Sequence, residues 1–140
     1  MSSERLLIDT VFVQAFLNRR DQYHQQALKI MPRVEAAQEV WVTSAILTEV
    51  ADGLSLTNRM NAVGFIQRCY RTANIHVIFV DFPLFTQSVE LYQSRRDKEW
   101  GLTDRISFVF MRERGIFSKI RGKFPNTPIA QAGFVPEQQL

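Results

Sequence analysis

The sequence predicts an α/β fold, a parallel sheet with helices packed against it. Two observations predict it. Short runs of strand composition recur along the chain, at residues 6–8, 40–43 and 75–80. Between them lie longer stretches whose apolar residues repeat at helical spacing. Strands that alternate with helices pair in parallel, through right-handed crossovers. A chain of 140 residues suits one domain with a sizeable core, here residues 1–140.

The first element is Leu6-Leu7-Ile8, closed at once by Asp9 and Thr10. Val11, Phe12, Ala15, Phe16 and Leu17 then fit one face of a helix. Residues 18–21 are a polar break, and Tyr23, Ala27, Ile30, Met31 and Val34 predict a second helix over 21–38. Pro32 inside it predicts a kink or an early end. His24 falls on its polar side and reads as a surface histidine, not a ligand.

Val40-Trp41-Val42-Thr43 is the second strand, and Ser44 suits the cap of the next helix. That helix carries Ile46, Leu47, Val50 and Leu54, with Glu49 among them. A bend at residues 55–58 leads into a helix over 59–71. Its Cys69 reads as a small buried apolar residue. Ile75-His76-Val77-Ile78-Phe79-Val80 is the third strand, where His76 is expected to be structural and Asp81 a turn or cap. A helix over 84–95 should turn Leu84, Phe85, Val89 and Tyr92 inward. Thr103 is a candidate cap for a last long helix, with Asp104 in its first turn. The run Ile106, Phe108, Val109, Phe110 and Met111 predicts burial on most sides, and Gly115 ends the helix. Beyond it, Ile116-Phe117 is a very short apolar start, followed by a basic loop through Lys119, Arg121 and Lys123. A short strand is expected at 131–135.

No apolar run nears the roughly 18 residues that span a membrane, and no signal peptide is visible. With one cysteine there is no internal disulfide, and a reducing, cytoplasmic setting is expected. The formal charge of +3 is a mild basic bias, compatible with a polyanionic partner. Arg19-Arg20, Arg95-Arg96 and Arg112 with Arg114 form local groups, each equally readable as a solvated face.

Three acids are placed alike. Asp9 ends the first strand, Glu49 lies on the helix after the second, and Asp104 opens the last long helix. In a parallel sheet all three can converge at the carboxyl edge, where open α/β sheets bind ligands. Taken singly, Asp9 is equally well explained as a helix N-cap. Close carboxylates repel, and a divalent cation removes that penalty. Mg²⁺ suits such a site because it takes few carboxylates and keeps several waters. Mg²⁺ or Mn²⁺ there can activate water and neutralise charge at a phosphodiester. The Thr10 hydroxyl is a further oxygen near such an ion.

Read as whole segments, Leu6-Leu7-Ile8-Asp9-Thr10, Phe16-Leu17-Asn18, Leu47-Thr48-Glu49-Val50 and the stretch from Asp97 to Phe108 resemble the PIN-domain family. Gln131-Ala132-Gly133-Phe134 resembles that family's ending. The likeness covers nearly the whole chain and is nearest to bacterial toxin ribonucleases of the VapC type. It implies a three-layer α/β/α domain around a roughly five-stranded parallel sheet. It also implies a Mg²⁺ or Mn²⁺ site, RNA hydrolysis, a homodimer and, for the toxins, an antitoxin that covers the active site. Asp9, Glu49 and Asp104 match three of its acidic positions, and Asp97 takes a supporting or capping role.

The sequence departs from that family at one place. A fourth acid is usual shortly before the Gln-Ala-Gly-Phe ending, yet no Asp or Glu stands between Glu113 and Glu137. Asn126 or Ser118 offers a neutral oxygen instead, and Lys119, Arg121 or Lys123 a positive charge. Two readings follow: a metal-dependent endoribonuclease, or a catalytically impaired relative that binds an antitoxin or RNA. A phosphoacceptor domain of flavodoxin-like topology is disfavoured. Asp9-Thr10-Val11 lacks a second Asp, and no glycine-rich phosphate loop is present.

Overall fold

The computed structural model describes residues 3–96, 100–116 and 118–120. Along the chain run β1 (Arg5–Ile8), α1 (Thr10–Leu17), α2 (His24–Ala36), β2 (Glu39–Thr43) and α3 (Ser44–Gly53). Then follow α4 (Arg59–Arg71), β3 (Ile75–Ile78), α5 (Phe82–Ser94), α6 (Leu102–Arg114) and β4 (Ser118–Ile120). The strands form one sheet in the order β3-β2-β1-β4, and each neighbouring pair is parallel.

The topology fixes the layers. From β1 through β2 to β3 the chain steps in one direction, so right-handed crossovers put α1 to α4 on one face. The return from β3 to β4 crosses the other face with α5 and α6. Side chains agree with this arrangement. Leu7, Trp41 and His76 are in register, and the Trp41 ring lies 5.5 Å from Phe110 of α6. Ile8 and Ile75 look the other way, into an apolar cavity of about 300 Å³ lined also by Phe12, Val13, Phe65 and Cys69. The three-layer α/β/α expectation therefore holds. Among the described residues the sheet has four strands, not five; the strand expected at 131–135 lies outside them, as do Asp97 and Asn126.

Several elements differ from expectation for local reasons. Ser118–Ile120, expected as a basic loop, is β4 and pairs with β1. Three residues with one lysine carry little hydrophobic signal, and the pairing with β1 selects the extended form. Pro32 does not end α2, which runs to Ala36. The N-cap of α3 is Thr43, whose hydroxyl accepts from the Ile46 amide at 3.3 Å. Ser44 instead accepts from the Val80 amide at 2.9 Å, tying the start of α3 to the end of β3. Gly101, not Thr103, is the N-cap of α6. Phe85, Val89 and Tyr92 are exposed rather than inward, and α5 buries Leu84 and Ser88.

Other expectations are met. α6 is buried from Arg105 to Met111 and ends at Gly115 with φ of 67°, the left-handed conformation glycine adopts without strain. Asp81 caps α5 through the Leu84 amide at 2.9 Å. His76 stacks on Trp41 at 4.5 Å between ring centres. His24 is pinned rather than loose, with Nδ1 2.8 Å from the Ala15 carbonyl.

Candidate active site

β1 ends in Asp9, and its backbone is extended there, at φ −102° and ψ 159°. That conformation lets Oδ1 of Asp9 accept from the Thr10 amide at 2.8 Å. Asp9 is thus an N-cap, as its residue type favours. It is also buried, at 8% exposure, in a place chosen by the topology. β1 has β2 on one side and β4 on the other, and the chain leaves β1 in one direction and returns on the other. The carboxyl end of β1 is the point where strand order reverses, which is where open parallel sheets form a crevice.

Glu49 reaches this point from α3. The Thr10 hydroxyl donates to Oε1 of Glu49 at 2.6 Å, a short bond of the charge-assisted kind. Thr10 therefore addresses two acids, Asp9 through its amide and Glu49 through its hydroxyl. The sequence did not single out Gln14, one helical turn after Thr10. Its Nε2 donates to the Glu49 carbonyl at 3.3 Å, which fastens α1 to α3. The spacing of four from Thr10 is the signal for it. Gly53 makes room: a Cβ there would collide with the Gln14 amide group.

Asp104 approaches from the opposite layer. β4 is parallel to β1 and follows α6 closely, so α6 must start at the carboxyl edge and finish at the amino edge. Ile106 lines a hollow with Ser44, Val80 and Asp81, all of which stand at that edge. Asp104, in the first turn of α6, accepts from the Gly101 amide at 3.3 Å. The structure thus joins Asp9, Thr10 and Glu49 directly and brings Asp104 to the same edge of the sheet. Among the described residues, no three His, Cys, Asp or Glu side chains gather closely enough to hold a metal ion.

The donors at the edge are hard oxygens: the Asp9 and Glu49 carboxylates, bonded to the amide and the hydroxyl of Thr10 respectively, and a third carboxylate on α6. That set suits Mg²⁺ or Mn²⁺, which take one or two carboxylates and fill the rest of the shell with water. Soft ligands are elsewhere. Cys69 is buried on the α4 side, where loss of hydration pushes its thiol up to about 11. At the amino edge, Arg5 and then Trp41 hydrogen-bond to Glu39 and hold its carboxyl below the ordinary value.

No protein-family model matches the sequence, and a search of curated proteins finds no match. Among solved structures the chain is similar to VapC20 of Mycobacterium tuberculosis, a sarcin-ricin loop cleaving toxin, at 24% sequence identity and a TM-score of 0.77. The match covers 93% of this chain and 96% of that one. The chain has the fold of a VapC-like PIN domain.

Proposed function

We propose that this chain is a metal-dependent endoribonuclease that hydrolyses RNA phosphodiester bonds, as the toxin of a toxin–antitoxin pair. One observation carries the reading. The 2.6 Å bond between Thr10 and Glu49 sets a second carboxylate near Asp9, at the switch point of a fold shared with a sarcin-ricin loop cleaving toxin. Asp9, Glu49 and Asp104 are the residues assigned to hold Mg²⁺ or Mn²⁺. When bound, the ion supplies an activated water and neutralises charge building on the phosphate. Thr10 orients both Asp9 and Glu49, and Gln14 holds the backbone beneath Glu49. The Gly101 amide fixes the Asp104 carboxylate. Exposed arginines on neighbouring elements hold the RNA backbone. The protein is expected to act in the cytoplasm as a homodimer, with an antitoxin covering the acidic edge. No helix among the described residues is long and apolar enough to cross a membrane.

Asp9→Asn tests the assignment. It should abolish RNA cleavage that depends on Mg²⁺ or Mn²⁺, and cleavage at the wild-type rate by that variant refutes the reading.

A second reading has an observation of its own. The chain has no acid between Glu113 and Glu137, where a fourth is usual in the family it resembles. A PIN-like protein with impaired catalysis that binds an antitoxin or RNA accounts for that. Thermal unfolding with added Mn²⁺ separates the two, because a ligand of the folded state raises the midpoint. A raised midpoint together with cleavage supports the nuclease; neither one supports the binder.

A further inference from the structure

We propose that Ser107 is a positioning residue of the acidic edge. Its buried hydroxyl takes its hydrogen-bond partner from the carboxylates and waters that surround a bound Mg²⁺ or Mn²⁺. The inference rests on the ribonuclease reading above and adds a support for the cation site from α6.

Ser107 differs from the other helical hydroxyls in what it bonds to. Thr48 Oγ1 donates to the Ser44 carbonyl at 2.9 Å, and Ser88 Oγ to the Leu84 carbonyl at 2.7 Å. Both bond back to the turn before them, the usual recourse of a hydroxyl inside a helix. Ser107 is fully buried in the middle of α6, and among the described residues its Oγ has no hydrogen-bond partner. A buried hydroxyl without a partner costs stability, and an alanine at the same place does not. A group kept at that cost is explained when it forms its bond in another state of the protein.

Helix geometry aims Ser107 at β1. Successive residues of α6 turn by about 100°. Ile106 faces the ends of β2 and β3, in the hollow with Ser44 and Val80. Phe110 is about 40° further round and meets Trp41 of β2. Ser107 is about 60° further still in the same sense, and the strand beyond β2 is β1. Arg105 points elsewhere, with Nη2 2.9 Å from the Arg95 carbonyl at the end of α5.

Its height along the strands agrees. Trp41, which Phe110 meets, is in register with Leu7. Ser107 lies three residues, about 4.5 Å, nearer the carboxyl edge than Phe110. Asp9 follows Leu7 by two residues in extended backbone, so both side chains leave the same face of the strand, the one toward α6. Asp104 precedes Ser107 by one turn and shares its face of α6. The hydroxyl therefore stands on the side of α6 where Asp9 and Asp104 meet, beneath the carboxylates assigned to the cation. A serine hydroxyl can donate there to a carboxylate or to a water. Carboxylates that ligate a metal are held in place by such outer hydrogen bonds, and losing one weakens the metal about 10–100-fold.

The test compares the full chain with its Ser107→Ala variant, with and without Mn²⁺. Without the ion, the variant should unfold at a midpoint no lower than the wild type and up to a few degrees above it, because an unpartnered hydroxyl has been removed. With Mn²⁺ the wild-type midpoint should rise, and that of Ser107→Ala should rise less. The Mn²⁺ concentration that half-saturates RNA cleavage should be about tenfold higher in the variant. A variant with the full Mn²⁺ shift and an unchanged half-saturation, beside a wild type that cleaves, overturns the role of Ser107 and leaves the nuclease reading standing. A variant that unfolds below the wild type without the ion shows that the hydroxyl is bonded in the resting fold, and this too overturns the role. If the wild type neither shifts with Mn²⁺ nor cleaves RNA, the nuclease reading falls and takes this inference with it.

Discussion

The Thr10 hydroxyl lies 2.6 Å from Oε1 of Glu49, and 39 residues of chain separate the two. This bond spans α1 and α3 and turns a carboxylate that is one of many on a helix surface into a neighbour of Asp9. Thr10→Val keeps the shape and removes the donor. It should reduce metal-dependent RNA cleavage by about tenfold or more, and it should cost about 1 kcal/mol in urea unfolding. Thr10→Ser should keep most of both. Steady-state rates on one RNA substrate, with unfolding curves for the three proteins, check this.

Gly53 permits Gln14 to lie along α3. Gly53→Ala forces the Gln14 amide to move. Because the displaced group is the end of a flexible side chain, stability should change little, by no more than about 0.5–1 kcal/mol. The bond from Gln14 to the Glu49 carbonyl should be lost. Cleavage should fall as it falls in Gln14→Ala, and the double variant should be no worse than either single one. A double-mutant cycle on cleavage rate measures that coupling.

Gly115 closes α6 in the left-handed conformation, and among the described residues nothing is close enough to obstruct a methyl group. The cost of Gly115→Ala is then conformational, about 1–2 kcal/mol, and the urea midpoint should fall with the slope unchanged.

Two groups give pH dependences of opposite sign. Cys69 is raised from 9.0 to about 11 by burial. Above the ordinary thiol value the unfolded chain releases this proton and the folded chain keeps it, so stability falls as pH rises through that window. The slope is about 1.4 kcal/mol per pH unit at most. Cys69→Ala should lack this limb when unfolding is compared with the wild type across the same alkaline range. Glu39 is lowered, first by Arg5 and then by Trp41, so its contribution is present above the unfolded carboxylate value and is lost as pH falls through the folded one. Glu39→Gln should therefore unfold more easily than wild type at neutral pH, with the gap closing in acid.

Most of the fold was legible because the signals were local. β1, β2, α4 and α6 lie close to where composition and spacing put them, and Gly115 ends α6 as its residue type demands. The misreadings share one cause, the tertiary setting. Ser118–Ile120 is a strand because β1 offers it an edge, and nothing in its own residues says so. Phe85, Val89 and Tyr92 have the spacing of an inward stripe, but α5 as packed turns Leu84 and Ser88 inward instead.

The site was legible by residue type and less so by geometry. Asp9, Glu49 and Asp104 were chosen for their positions relative to strands, and the parallel order carries all three to the carboxyl edge. Thr10 was read as a hydroxyl near an ion; its second task, holding Glu49, depends on how α1 crosses α3 and could not be read from the chain. Gln14 was missed for the same reason, since its partner is a backbone carbonyl, and carbonyls carry no sequence signal.

The place of β1 in the sheet has a consequence for synthesis. Leu6 pairs with Val40 on one side and with Ser118 on the other. During synthesis β1 waits for a partner made more than a hundred residues later, and closing so long a loop is slow. The crevice beside Asp9 has both its walls only after that late segment has emerged. A nascent chain that has not yet reached β4 therefore has the sequence of the acidic edge without its shape.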